Sequence, residues 1–385
     1  MNIKQVYELV NSATQEALGA SVVLNEDLTN VVDLGEAVFN ANALDAYVKS
    51  LVNHIGKVIF VNRTYQGSAP SVLMDGWEFG SVLEKVSTGL PEATENDSWN
   101  LQDKESYDPN IFYKPQVTVK FFNSLTTFEV AMSFTEMQVK QSFSNATQLN
   151  AFVSMLYTSV ENSMTVKTDA LIMRTINDMI AETIFDDYAD AALASKSGVK
   201  AINLLYLYNQ KHPDDVLTPE VCLDNPEFIR FASYIIKLTA TRLQKMSTLF
   251  NVGEQPRFTP KDLMHIVMLA DFKAAADVYL QSDTFHNELT ALPLAEEVPY
   301  WQGSGKTYSF VDVTSIDIKS SAGHTIKTSG ILTVMFDRYA LGVNNFNKRV
   351  TSNYNARAEF YNNWYKQDAR YFNDLNENFV VFFVA

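Results

Sequence analysis

The stretch NATQLNAFVSMLYTSVENSMTVKTDALIMRTINDMIAETI, Asn145 to Ile184, decides how the rest of the chain is read. Leu149, Phe152, Val153, Leu156, Tyr157, Val160, Met164, Leu171, Ile172, Ile176, Met179, Ile180 and Ile184 recur at the three- and four-residue spacing of one helix. Asn145, with Gln148 three residues on, has the pattern of a helix cap. No glycine or proline interrupts the chain between Pro115 and Gly198. At 1.5 Å per residue, roughly forty residues make a rod of about 60 Å. Ordinary helices run to about 11–12 residues, so a rod of this length needs a coiled coil, a membrane or a large subunit to support it. Its polar residues exclude a membrane span, and it lacks sustained heptads with charged flanks. The spacing therefore predicts a spine crossing an extended subunit.

Working outward toward the N-terminus, QVTVKFF and TTFEVAMSF are rich in β-branched and aromatic residues and flank a short NSL turn, so they read as a long β-hairpin. Before them lies PEATENDSWNLQDKESYDP, Pro91 to Pro109, with six acids against one lysine. Such a segment is expected to be a solvated loop, but loops longer than about 15 residues in compact domains usually have a function or are disordered. Further upstream, Leu44, Tyr47, Val48, Leu51, Val52 and Ile55 predict a helix over 43–55 stopped by Gly56, with KVIFV as a strand after it. Ile3, Val6, Leu9, Val10, Ala13 and Leu18 predict an N-terminal helix ending at Gly19.

Downstream, Asn225-Pro226 marks a helix start, with Phe228, Phe231, Ile235, Leu238 and Leu243 carrying the helix to about Phe250. LMHIVMLA, Leu263 to Ala270, reads as a buried strand followed by the helix ADFKAAADVYL. Strands dominate thereafter: TYSFVDVTSIDI, ILTVMF, and YALGVNN with KRVTS around an asparagine turn. The closing NFVVFFVA has the apolar run of a central strand.

The composition limits the function. With 385 residues, 46% hydrophobic and 19% charged, the chain is a folded protein of two or three lobes. Its net charge of -15 provides no cationic surface for sequence-independent nucleic-acid binding. The single cysteine, Cys222, excludes an internal disulfide and reads as a buried hydrophobe. Lys4, Glu8 and Glu16 break any secretory pattern at the N-terminus, and no run approaches a membrane span, so a soluble cytoplasmic product is expected.

Chemistry-bearing motifs fail on spacing. In WQGSGKTYSF, Trp301 to Phe310, a phosphate loop with Lys306 as its lysine needs a glycine at position 300, which is Tyr300. A strand-like run follows where a helix N-terminus is required, so the motif reads as a glycine turn. His54, His212, His265, His286 and His324 have no metal-ligand spacing. Asp186, Asp187 and Asp190 lack the glycine of a cation-binding loop and read as a solvated helix end. FYNNWYKQDARYF, Phe360 to Phe372, interleaves rings with Lys366 and Arg370 as a base-stacking surface does. In so acidic a chain, packing is the better reading. No catalytic residue, cofactor or metal is expected.

Element order and several segments resemble the major capsid protein of tailed phages, with the fold named after phage Hong Kong 97. SLVNHIGKVIFV resembles the junction of arm and extended loop, FSNATQLNAFVSMLYTSVENSM the start of the spine helix, and DLMHIVMLADFKAAAD a strand and helix of the axial lobe. The asparagine- and aromatic-rich close, FDRYALGVNNFNKRVTSNYNARAEFYNNWYKQDARYFNDLNENFVVFFVA, is most similar to phi29-like podoviruses and their relatives. The resemblance implies an α+β fold: an N-terminal arm with helices over 1–56, an extended loop with a β-hairpin over 57–143, and a peripheral domain with the spine over 144–197. An axial domain over 198–330 follows, then return strands to the peripheral domain and a final axial strand over 331–385.

It further implies a non-enzymatic head protein that assembles with itself into hexamers and pentamers of an icosahedral or prolate shell. That shell would enclose double-stranded DNA without sequence-specific binding, form in the bacterial host cytoplasm and use scaffold and portal proteins. The loop of about Gly80 to Phe134 would reach a neighbouring subunit, with Glu92, Glu95, Asp97, Trp99, Tyr107 and Tyr113 as intersubunit residues. The competing readings are a nanocompartment shell of the same fold, a non-enzymatic acidic virion or binding protein, and an α/β enzyme with a degenerate phosphate loop at Lys306.

Overall fold

The computed structural model describes residues 3–19, 24–26, 29–40, 43–62, 69–74, 83–89, 91, 93, 99–108, 110–114, 117–189, 191–281, 295–302 and 309–385. A 43-residue helix, Ala146–Tyr188, runs through it and belongs to two hydrophobic cores. Asn145 caps it, its side-chain oxygen accepting from Gln148 N at 2.9 Å. Leu149, Val153, Leu156, Val160 and Met164 form a single buried stripe along the first half, as one-sided packing requires. From Thr175 to Ile184 every residue is buried, so the second half is enclosed on all sides.

The first core gathers helices α1 (Ile3–Leu18), α2 (Val31–Asn40) and α3 (Leu44–Asn62) against the spine's amphipathic half. Helix α3 runs through Gly56 and KVIFV, so neither the stop nor the strand expected there forms. One more helix, α4 (Glu136–Ser142), precedes the spine, which is α5. Thr135 and Gln138 close a reciprocal capping box at its start. The other face of this core is a three-stranded antiparallel sheet with β11 between β10 and β3. These strands are β3 (Leu125–Thr135), β10 (Leu341–Asn355) and β11 (Phe360–Asn373).

Two expectations fail at this sheet. YALGVNN and KRVTS are one strand, not two around a turn. Asn347, at φ 47°, sits in a bulge where Phe346 pairs Asp368 and Arg349 pairs Lys366. Arg349 Nη1 donates to Asp368 at 2.6 Å and Asn347 Nδ2 does so at 2.6 Å, which fixes the bulge. Nor do QVTVKFF and TTFEVAMSF form a hairpin. The first is β2 (Val117–Phe122), which pairs with β1 (Leu83–Thr88), and the second is β3, which pairs with β11.

The second core surrounds a five-stranded mixed sheet of order β4-β12-β9-β5-β6. Its strands are β4 (Ala201–Asn203), β5 (Met264–Leu269), β6 (Glu296–Val298), β9 (Ile331–Asp337) and β12 (Phe379–Phe383). All residues of β9 and β12 are buried, which accounts for their unbroken apolar runs. Helices α6 (Leu204–Lys211), α7 (Pro226–Leu243) and α8 (Ala270–Gln281) cover it. Asn225 caps α7 as expected, but the helix ends at Leu243, short of Phe250. The expected strand TYSFVDVTSIDI is instead a short helix at Phe310–Thr314 and a strand β7 (Ile316–Lys319), which pairs with β8 (Thr325–Thr328).

The enclosed half of the spine carries buried polar side chains that bond to other segments. Asn177 Nδ2 donates to Trp301 O at 2.9 Å, and Asp178 accepts from Ser321 N at 2.6 Å and Ser321 Oγ at 2.8 Å. Glu182 lies 3.3 Å from His324 Nδ1. The spine thereby ties the β7–β8 hairpin and the Trp301 segment to the second core.

Candidate functional site

The two strands β1 and β2 form a ribbon on their own, joined to no third strand among the described residues. In an antiparallel pair, residues directly opposite share a face. Val86 faces Val119, with Val117 and Phe121 on the same side, and all four point to solvent, Phe121 being 65% exposed. Lys85 faces Lys120 on the other side, toward the body. An isolated subunit normally buries the apolar side of such a ribbon and hydrates the charged side. Here the valines and Phe121, beside Glu84 and Thr88, face water, while the lysines, beside Phe122, face the body.

The charged side is held by residues that sequence reading missed. Lys85 Nζ lies 2.7 Å from Asp374 Oδ2 and 2.6 Å from Glu377 Oε1, while Lys120 Nζ lies 3.1 Å from Asp374 Oδ1. Arg257 Nε adds a further contact to Glu377 at 3.2 Å. The Asp374 side chain is 1% exposed, on the turn joining β11 to β12 and thus at the junction of the two cores. Burial pushes its carboxyl up, but hydrogen bonds and charge from Lys85 and then Lys120 outweigh that and hold it below the usual carboxylate range. The rings of Phe122 and Phe372, 5.2 Å apart, close the base of the ribbon. The alternation in VTVKFF marked a strand with one apolar face, but its direction and its carboxylate partners, more than 250 residues away, left no local signal.

Beyond the ribbon lies the acidic excursion. Of the residues expected to act there, Trp99 is 95% exposed, Tyr113 83% and Tyr107 half-exposed; Glu92, Glu95 and Asp97 lie outside the described residues. Phe112, as exposed as Tyr113, and Leu101 and Ile111 are further exposed apolar residues of this segment, without a sequence signal of their own. Each of these presents a large apolar side chain to water. The remaining Tyr107 contacts are local: its hydroxyl accepts from Gln102 N at 3.0 Å.

Other candidates have structural roles. Asp187 Oδ2 accepts from Lys200 N and Ala201 N, each at 2.7 Å, and Lys200 Nζ sits 2.5 Å from Asp186. This is a capped and neutralised helix end; Asp190 lies outside the described residues, and no acid, histidine and cysteine cluster suits a metal among those described. Burial pushes the Cys222 thiol up to about 12. His54 meets Glu16, His212 stacks on Tyr208, and His324 stacks on Phe185. His286, Lys306 and the Gly303 turn fall outside the described residues. The run Phe360 to Phe372 is β11, with Tyr361 and Tyr365 buried in the first core and Lys366 3.2 Å from Glu129. No described helix is long and apolar enough to cross a membrane.

The family model described as Phi29-like phage major capsid protein matches residues 10–383. No curated protein matches the chain in sequence. Among solved structures, a chain from the capsid of Staphylococcus phage Andhra is 11% identical, with 84% of this chain and 86% of that one covered at a TM-score of 0.49. A chain from the capsid of cyanophage P-SCSP1u is 8% identical, with 84% and 90% covered at a TM-score of 0.46.

Proposed function

The chain belongs to the Phi29-like phage major capsid protein family and is a shell-forming capsid protein, and on that premise we propose that the β1–β2 ribbon and its acidic tip are the arm by which one subunit holds the next. The observation that carries this reading is the orientation of the ribbon: Val86, Val117, Val119 and Phe121 face outward while Lys85 and Lys120 face inward. These side chains are 43–65% exposed, so burying each against a neighbour removes about half of its area from water and stabilises the contact by about 1 kcal/mol. Repetition around closed symmetry turns a modest contact into a stable shell.

In this reading the fold is of the Hong Kong 97 type. Residues 1–56 are the arm with its helices, of which α3 runs on to Asn62, and 57–143 the extended loop, which ends on β3 and α4 in the first core; 144–197 is the peripheral domain, 198–330 the axial domain, and 331–385 hold β9 and the final strand β12 of the axial sheet with the return strands β10 and β11 between them. Hexamers and pentamers gather around the axial lobe and build an icosahedral or prolate shell, with scaffold and portal proteins as partners, in the host cytoplasm. The shell encloses double-stranded DNA. A net charge of -15 keeps that DNA loosely held, since a negative wall offers few cations to displace its counterions. The protein acts by assembly, without catalysis. Lys306→Ala accordingly leaves assembly unchanged.

Deleting Glu92 to Asp108 tests the arm. The subunit keeps its circular dichroism spectrum and cooperative unfolding but forms no shells. Normal shells from the deleted chain would refute the bridging role.

A further inference from the structure

Helix α7 has 18 residues, about 27 Å at the helical rise, and its two ends carry surfaces of opposite character. Along its C-terminal half runs an apolar groove of ≈ 740 Å³, lined by Ile202, Ile235, Leu238 and Leu249 with Arg242 and Lys245 at the rim. No acidic side chain lines it, in a chain whose net charge is -15. Arg242, Lys245, Met246 and Leu249 are all exposed.

At the other end, the loop between α6 and α7 presents Asp214, Asp215 and Glu220 around Val216 and Val221, all exposed, with Val216 64% so. The loop is held in shape by Asn209, which donates from Nδ2 to Leu217 O and accepts from Leu217 N, both at 3.0 Å. A loop already fixed loses little entropy on docking. Its apolar residues within an acidic rim complement a groove with apolar walls and a basic rim.

We infer that the Asp214–Val221 loop of one subunit docks in the α7 groove of the next. Because the two surfaces lie at opposite ends of one helix, a chain cannot pair them within itself. The contact is therefore head-to-tail, and such a contact closes into a ring when its rotation allows. This inference rests on the shell reading above and names the contact that gathers the axial lobes within a capsomer; it is separate from the contact made by the ribbon.

Charge reversal tests it. The groove variant carries Arg242→Glu and Lys245→Glu, the loop variant Asp214→Lys and Asp215→Lys, and a third chain carries all four; thermal unfolding of each subunit confirms the fold. Each single reversal is expected to raise the concentration needed for assembly about tenfold or more, since like charges are set against each other. The combined chain should return toward wild type. Neutral variants, Arg242→Gln and Asp214→Asn, give the same ordering at smaller size and serve where a reversed subunit does not fold. Normal assembly by either reversed variant, or combined reversal that restores nothing, would overturn the pairing. If the groove variant alone fails, the groove receives some other partner and the proposal is wrong. Wild-type chains that never assemble would contradict the shell reading itself, and the pairing with it.

Discussion

Lys85 and Lys120 stand opposite each other across the β1–β2 ribbon, and both ammonium groups close on the one buried carboxylate of Asp374. Like charges directly opposite on a strand pair repel, and that carboxylate, with Glu377 on Lys85, offsets the repulsion at the ribbon's base. Asp374 in turn sits where the sheet of the first core hands over to that of the second. The direction of the ribbon is thus set at the centre of the subunit.

Asp374→Asn removes one negative charge and leaves the two lysines facing each other with Glu377 alone to offset them. The variant is expected to lose roughly 2 kcal/mol of stability, the scale of hydrogen bonds to charged groups. Chemical denaturation measures the loss, and hydrogen exchange should rise first at the amides of β1 and β2.

The same carboxylate confers an acid sensitivity of known sign. Its pKa in the folded protein lies below the usual range, so its contribution is fully present above the unfolded-state value and is lost as pH falls through the lower folded value. Asp368, buried but held down by Arg349, Thr127 and Asn347, acts in the same direction. Unfolding free energy followed from neutral pH into the acid range should drop in wild type, and drop less in Asp374→Asn.

Trp99→Ala and Phe112→Ala touch side chains that face water in the single subunit. Stability should stay within about 0.5 kcal/mol of wild type. Assembly should fail or require far more protein, as sedimentation would show. Loss of stability with normal assembly would reverse the assignment of these residues.

Gly330, at φ +86°, precedes β9, and a Cβ there would meet Val384 O at 1.9 Å. Gly330→Ala therefore combines a left-handed backbone with a backbone clash beside the last strand, and should cost at least about 2 kcal/mol. Thermal unfolding of the purified subunit checks this.

Much of the fold is legible because its signals are local. The spacing of Leu149, Val153, Leu156 and Val160, with Asn145 ahead of them, gives the spine helix and its cap. The apolar run of β12 gives a central strand, and Asn225-Pro226 gives the start of α7. The misreadings come from partners far away in sequence. VTVKFF and TTFEVAMSF have the composition of a hairpin, yet each finds a better partner elsewhere, β1 and β11. KVIFV is β-branched but continues a helix already nucleated, and propagation costs less than nucleation. The Asn347 turn is a bulge because Asp368 on the facing strand holds it. At the candidate site, the exposed aromatics could be guessed from an overlong acidic segment. The Asp374 clamp could not, since its members come from four separate parts of the chain.

The most direct test is the mass of the purified full-length protein in solution, alone and with the cognate scaffold, followed by electron microscopy of the large fraction. Hollow shells or rings of capsomer size are the expected result. A 43.4 kDa monomer that persists with the scaffold present would contradict it.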